Sequence, residues 1–556
     1  MKVTKMNKAI SKVRLLLAAM AVGAALLLTA TAHAAAPGIT GPTFQLTAQA
    51  ALLTQPDGNM VYSWGYGCLA TSPPIGHSPA AIGAFFCNTM QVPGPTLIVN
   101  EGDTVVVTLT NQLPASAGNT SILFPGFNVC AATFDGTTGA CTGTPTGVAG
   151  LLTQEAAPNG GTVTYSFKAS TPGTRAYYSG TQGDLQVEMG LYGVIIVLPT
   201  ATPTGCNSSI PAHYVAPGNV PELDYRLAAS AYDNARTCYD REYLFQFSEM
   251  DPGIHRQAEE QVAACGSTAG CTLHVATEPY HPAYYLINGR SMPDDMDPNY
   301  AFEYPHQPYN GNPHMHPGEQ VLLRIVGQGR WQHPFHEHGN HVRVLGRDGN
   351  LILASTTAGE VNLAGPLLFT TTTTPGQAMD GIFYWTGKGL NWDAYGHNPA
   401  SSDPLAKPPC DGLLNGYHSV ATDLNFYEWC QDHDKPMQAT PAGDVANGGP
   451  VTLPDPNIFA NGAWFGGSPY LGPNATLRAT GCSSPASQGP AAGSCGQTGT
   501  TPPSGTIANP PSSEAGFAFM WHSHNEREIT TNNAFPGGML MMMLVDSREF
   551  NIDESN

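Results

Sequence analysis

The stretch that decides the fold runs Gln320-Val321-Leu322-Leu323-Arg324-Ile325-Val326, then His333-Pro334-Phe335-His336-Glu337-His338-Gly339, then His341-Val342-Arg343-Val344-Leu345. The flanking runs are rich in β-branched and aliphatic residues and bounded by turn residues, which predicts two strands with the histidines between them. On a strand, side chains i and i+2 share a face, so His336 and His338 project together. A second cluster, Trp521-His522-Ser523-His524, pairs His522 with His524 in the same way. Four imidazoles converging from two strands make a site for a transition metal, with copper, zinc or iron the natural guests.

Strand signals continue outward in both directions. Thr104 to Thr110 is a β-branched run bounded by Gly102 and Asp103, Gly161 to Phe167 alternates, and Gly190 to Val197 reads as a buried strand. Pro199 to Gly205 reads as a linker. Further strands are predicted at Tyr243–Phe247, Phe517–His522 and Gly538–Val545, and one short helix over 255–263. Between 387 and 516 periodicity fades into Gly, Pro, Ser and Asn, which marks a long loop-rich insertion.

Composition agrees with an all-β chain. Only 12% of residues are charged, while Gly (62) and Pro (48) are abundant. The first 34 residues have a basic start, an apolar run from Leu15 to Leu28 and the small-x-small site Ala32-His33-Ala34, so they read as a secretory signal. The expectation is a protein exported to the periplasm or outside the cell, with no membrane span. Without that segment, 17 basic residues face 42 acidic ones, a net charge of −25. Nucleic acid and anionic membranes need a positive field and are excluded as partners.

All 12 cysteines lie beyond the signal, and none forms a Cys-x-x-Cys pair. An even count in an exported chain implies disulfides. Of the connectivities the count permits, the near-neighbour one is expected: 68–87, 130–141, 206–238, 265–271, 410–430 and 482–495.

At these residues the chain resembles the multicopper oxidases. Three segments carry the resemblance: Pro93 to Val99 with Glu101-Gly102-Asp103, the His-Pro-x-His-x-His-Gly motif at 333–339, and Trp521 to His524 followed by Gly538-Met539. It implies two cupredoxin-like Greek-key β-sandwich domains, at 38–200 and 220–556, joined by a linker at 201–219. The insertion, about 388–516, then falls in the second domain. It also implies copper as cofactor, a small-molecule or metal-ion electron donor, and a homotrimer.

Residue by residue, the resemblance assigns type 2 copper to His336, the type 3 pair to His338, His522 and His524, and type 1 copper to His333. The chain departs from the pattern at Ser523, where the type 1 thiolate belongs, and at Glu528, where a histidine is expected. Met539 stands as a displaced relic of the axial ligand. The first domain has Leu123 to Gly126 and Tyr177 to Gly180 where two His-x-His pairs are expected. Four of the eight trinuclear histidines are therefore absent.

Strand parity also places His333 and His341 on the side of Ser523, where with Glu528 they form a second candidate metal site. Glu528 is in addition a candidate proton or cation partner in catalysis. Two functions follow: a copper-dependent oxidoreductase without type 1 copper, or a non-catalytic copper-binding or structural scaffold.

Overall fold

The computed structural model describes residues 36–72, 74, 76–78, 87, 89–207, 224–386, 467–470, 516–546 and 552. The signal segment, most of the insertion and the disulfides 410–430 and 482–495 lie outside the described residues. Two β-sandwiches follow one another along the chain.

In the first sandwich one sheet orders its strands Gly173–Tyr178, Tyr192–Leu198, Leu97–Asn100, Gly38–Thr40, Gly76–Ser78. The facing sheet runs Thr162–Lys168, Thr104–Asn111, Thr43–Thr54, Met60–Cys68, Met90–Gln91. Thr104–Asn111 shows why the layers close: Val105, Val107 and Leu109 are buried and alternate with half-exposed residues. Those three meet Leu97, Val99, Ile195 and Val197 of the opposite sheet in a single core.

The second sandwich pairs Tyr284–Ile287, Arg241–Met250, Gln320–Gly327, Ala378–Tyr384 and Val342–Arg347 in one sheet. Its partner orders His314–Met315, Leu540–Asp546, Gly516–Ser523, His333–Glu337 and Thr370–Thr373. Phe245, Phe247, Phe335, Phe383, Trp521, Met539, Met541 and Met543 fill the space between. The methionines at 539, 541 and 543 are thus core residues, while Met542 faces the other way and is half-buried.

Arg241–Met250 is buried along its whole length because it is covered twice. Phe245 and Phe247 face the second core, whereas Leu244 and Met250 pack against Val194, Ile196 and Tyr192 of the first sandwich. Several polar residues in that contact are paired, which offsets their burial. Thr174 and Tyr232 donate to Asp380 at 2.6 Å each, and Arg324 pairs with Glu242 at 2.8 Å.

One local reading changes. The helix spans Pro252–Cys265 rather than 255–263, because Asp251 caps it by accepting from Gly253 N at 2.8 Å and Pro252 opens it. His314–Met315 forms a short strand parallel to Leu544–Val545, and Asp546 holds His314 Nδ1 at 2.7 Å. Four disulfides stand as expected, at 68–87, 130–141, 206–238 and 265–271.

Candidate metal centre

The centre is set by strand register. His333–Glu337 runs antiparallel to Gly516–Ser523 with Phe335 opposite Ser523, His336 opposite His522 and Glu337 opposite Trp521. Phe335 and Trp521 point into the core, so pleating turns His336 and His522 to the outer face together. Just beyond the two strand ends, His338 and His524 join them.

Ring centroids of His336 lie 4.7 Å from His338, 5.6 Å from His522 and 4.9 Å from His524. His522 stands 5.2 Å from His338 and 5.4 Å from His524. The far nitrogens are anchored. Nδ1 of His336 meets Thr370 Oγ1 at 2.8 Å, and Nδ1 of His522 donates to the Ser523 carbonyl at 2.7 Å. A carbonyl only accepts, so His522 keeps its proton on Nδ1 and presents a bare Nε2. That Nε2 lies 3.2 Å from Nε2 of His338.

Two nitrogens at that spacing fit a shared ion: ligands about 2.0 Å from a metal and near-tetrahedral to each other are about 3.2 Å apart. Burial, with His522 and His524 beside it, holds His336 well below its ordinary pKa, at about 4. Burial lowers His522 as well. Both are therefore neutral near pH 7, the form that binds metals. Among the described residues no three His, Cys, Asp or Glu side chains already enclose one point as ligands. Holding an ion across the whole group requires the rings to turn inward.

The core anchors this outer face from behind. Trp521 is fully buried against Phe383, Phe335 and Phe245, at 4.9, 6.0 and 6.4 Å between rings, and its indole N–H donates to the His338 carbonyl at 2.8 Å. Glu337 also points inward and accepts from Thr371 Oγ1. Burial pushes its carboxyl up to about 8.

His333, expected as a ligand, does not join the four. Its Nε2 lies 3.0 Å from Glu249 Oε2 and its Nδ1 2.9 Å from Glu528 Oε2, all three residues being buried. Burial opposes a charge on the ring, but the two carboxylates outweigh it and raise His333 to about 9. An imidazolium with both N–H groups engaged has no lone pair for a metal.

Glu528, expected as a proton or cation partner, lies in the same buried cluster. It accepts from His333, from the Ser523 hydroxyl and from Asn525 Nδ2 at 2.9 Å, and so is an interior acceptor rather than a solvent-facing base. His341 stands apart from this cluster because Gly339, at φ +105°, breaks the strand and with it the parity. Its ring packs on Phe369 at 5.2 Å, and the ring of His336 is 5.9 Å from the same phenylalanine. Glu526 is exposed, 3.6 Å from His524.

Glu249 and Thr370 were not legible as site residues. A signal existed for Glu249: an acidic side chain within the apolar run Arg241–Met250 needs a buried partner. Thr370 carries no such mark.

Comparison with known proteins agrees with this architecture. Multicopper oxidase family models match residues 83–202 and 276–381. Laccase abr2 of Aspergillus fumigatus is 36% identical over 111 residues, covering 20% of this chain and 16% of that protein. Laccase 1 of Metarhizium acridum is 35% identical over 121 residues, covering 22% of this chain and 17% of its own. The chain thus spans about a sixth of the length of these curated relatives.

Among solved structures, the multicopper oxidase mgLAC aligns over 90% of this chain and 86% of its own, at 15% identity and a TM-score of 0.40. A blue copper oxidase from Nitrosomonas europaea aligns over 90% and 85%, at 14% identity and 0.41. Two segments of the chain, residues 83–202 and 276–381, thus match the multicopper oxidase family. Members of that family bind copper.

Proposed function

We propose that this protein is an exported copper-dependent oxidoreductase that takes electrons from a small molecule or a metal ion without a type 1 copper. The observation that carries the reading is the pair of Nε2 atoms of His338 and His522 at 3.2 Å, with His336 and His524 beside them. Imidazole is a good donor for copper, and all four rings come from the motif positions that the family resemblance assigns to copper. When bound, copper would supply one-electron exchange with the donor. The chain's own part is to keep His336 and His522 neutral, fix the bare nitrogen of His522 and leave His524 in reach of solvent.

Export rests on the first 34 residues, with their basic start and apolar run. No helix among the described residues is long and apolar enough to cross a membrane. A homotrimer is the assembly expected from the family resemblance and is tested by light scattering on the purified chain.

A second reading, copper binding without turnover, is favoured by a separate observation. Ser523 stands in the thiolate position, and both nitrogens of His333 are held by carboxylates. The usual route for electrons into a trinuclear cluster is absent. Copper stoichiometry with spin-resonance spectra, followed by O₂ uptake with Fe(II), Mn(II), Cu(I) and phenols, separates the two. Copper bound with turnover of one donor supports the first reading, and copper bound with none supports the second. Copper well below one ion per chain after reconstitution removes both.

A further inference from the structure

The pocket around His333 is linked to the imidazole site through Ser523. Glu528 is buried, and its carboxylate receives His333 Nδ1 at 2.9 Å, Asn525 Nδ2 at 2.9 Å and the Ser523 hydroxyl. Its main chain is tied too: Glu528 N donates to Asn525 O at 2.8 Å, and Met539 N donates to Glu528 O at 2.7 Å. Gly538, at φ +62°, allows that approach, since a Cβ there would stand 2.1 Å from the Glu528 carbonyl oxygen.

Ser523 belongs to both systems. Its hydroxyl donates to Glu528 and also accepts from Asn525 N at 3.2 Å, while its N–H donates to Met539 O at 3.0 Å. The carbonyl of the same residue accepts from Nδ1 of His522 at 2.7 Å. The hydroxyl and amide fix this residue on one side, and His524 N, donating to Pro334 O at 2.8 Å, fixes the peptide that follows, so the carbonyl stays aimed at His522. On the far side Glu249 holds His333 at 3.0 Å and is itself fixed by Arg330 N and Trp331 N at 2.8 and 2.9 Å.

We propose that Glu528, acting through Ser523, is a positioning residue that fixes the His522 ring so that its Nε2 faces His338, with Glu249 and His333 as the anchor of that clamp. The inference rests on the copper reading given above. Residues that receive the second N–H of a ligating imidazole set its tautomer and direction, and losing them costs about 10–100-fold in metal affinity. Here that receiver is a main-chain carbonyl, and what the interior holds in place is the carbonyl.

The test uses full-length protein labelled with ¹⁵N-histidine, with His522→Gln to assign the His522 ring, and Cu(II) affinity measured by chelator competition. Ser523→Ala removes one hydroxyl and leaves Glu528 bonded to His333, so it reads the clamp even if Glu528→Ala fails to fold. Expected are a His522 ring that loses its pure Nδ1–H tautomer and copper binding weakened about 10–100-fold, with Ser523→Thr restoring both. A folded Ser523→Ala protein with wild-type His522 shifts and wild-type copper affinity overturns the proposal. If the parent binds no copper, the function proposed above fails, and the tautomer measurement on metal-free protein still decides this one.

Discussion

His338 and His522 are 184 residues apart in sequence, yet their Nε2 atoms lie 3.2 Å apart. The contact lies just past a strand end, where His338 begins a turn. It follows from two antiparallel strands that place His336 opposite His522 while Phe335 and Trp521 face the core. A one-residue slip would turn the imidazoles inward and the aromatic rings out, so the core enforces the site.

That dependence makes the metal site sensitive to single ring removals. His338→Ala or His522→Ala is expected to lower Cu(II) affinity by at least tenfold, because each removes one member of the closest nitrogen pair. His341→Ala is expected to leave the affinity unchanged, since its ring packs on Phe369 rather than on the closest nitrogen pair. Isothermal titration or chelator competition checks both.

His333 predicts a pH dependence of stability. Its pKa is raised to about 9 in the folded protein, against about 6.5 for a free histidine. The folded state therefore binds the proton more tightly. The stabilisation is fully present below about pH 6.5 and lost as pH rises through about 9. Denaturant midpoints should fall over that window, and His333→Gln should flatten the fall. Equal slopes in both proteins would show that the imidazole is not the titrating group.

Ser523→Cys alone is not expected to create a blue copper site. Glu249 and Glu528 still occupy both nitrogens of His333, so the new thiolate would lack its imidazole partner. Adding Glu528→His and Glu249→Gln frees His333, and a strong visible charge-transfer band should then appear on copper addition. Absorption spectra of the single and triple variants check this.

Trp521 links core and site. Trp521→Ala should destabilise the protein by about 3–5 kcal/mol, the range for removing a fully buried aromatic ring. Trp521→Phe retains most of the packing but loses the bond to the His338 carbonyl, and should cost about 1 kcal/mol. Urea unfolding with each variant measures both.

Much of this was legible in the chain. The strand at Thr104–Asn111 alternates so regularly that its inward face, Val105, Val107 and Leu109, can be named from the residues. The pairing of His336 with His338 and of His522 with His524 followed from strand parity. Parity misled for His341, because the chain turns at Gly339 and the two-residue period ends there.

The sequence by itself determined the β-sandwich composition, the near-neighbour disulfides seen at four pairs and the four imidazoles that gather. These depend on local period, chain proximity and motif spacing, all of which are written along the chain. Only the tertiary structure decided the fate of His333. Its two partners, Glu249 and Glu528, lie 84 and 195 residues away, on segments whose own patterns give no sign of meeting. Whether a histidine holds a metal or a proton depends on what faces its nitrogens inside the fold. Here two buried carboxylates face them, and the proton is held.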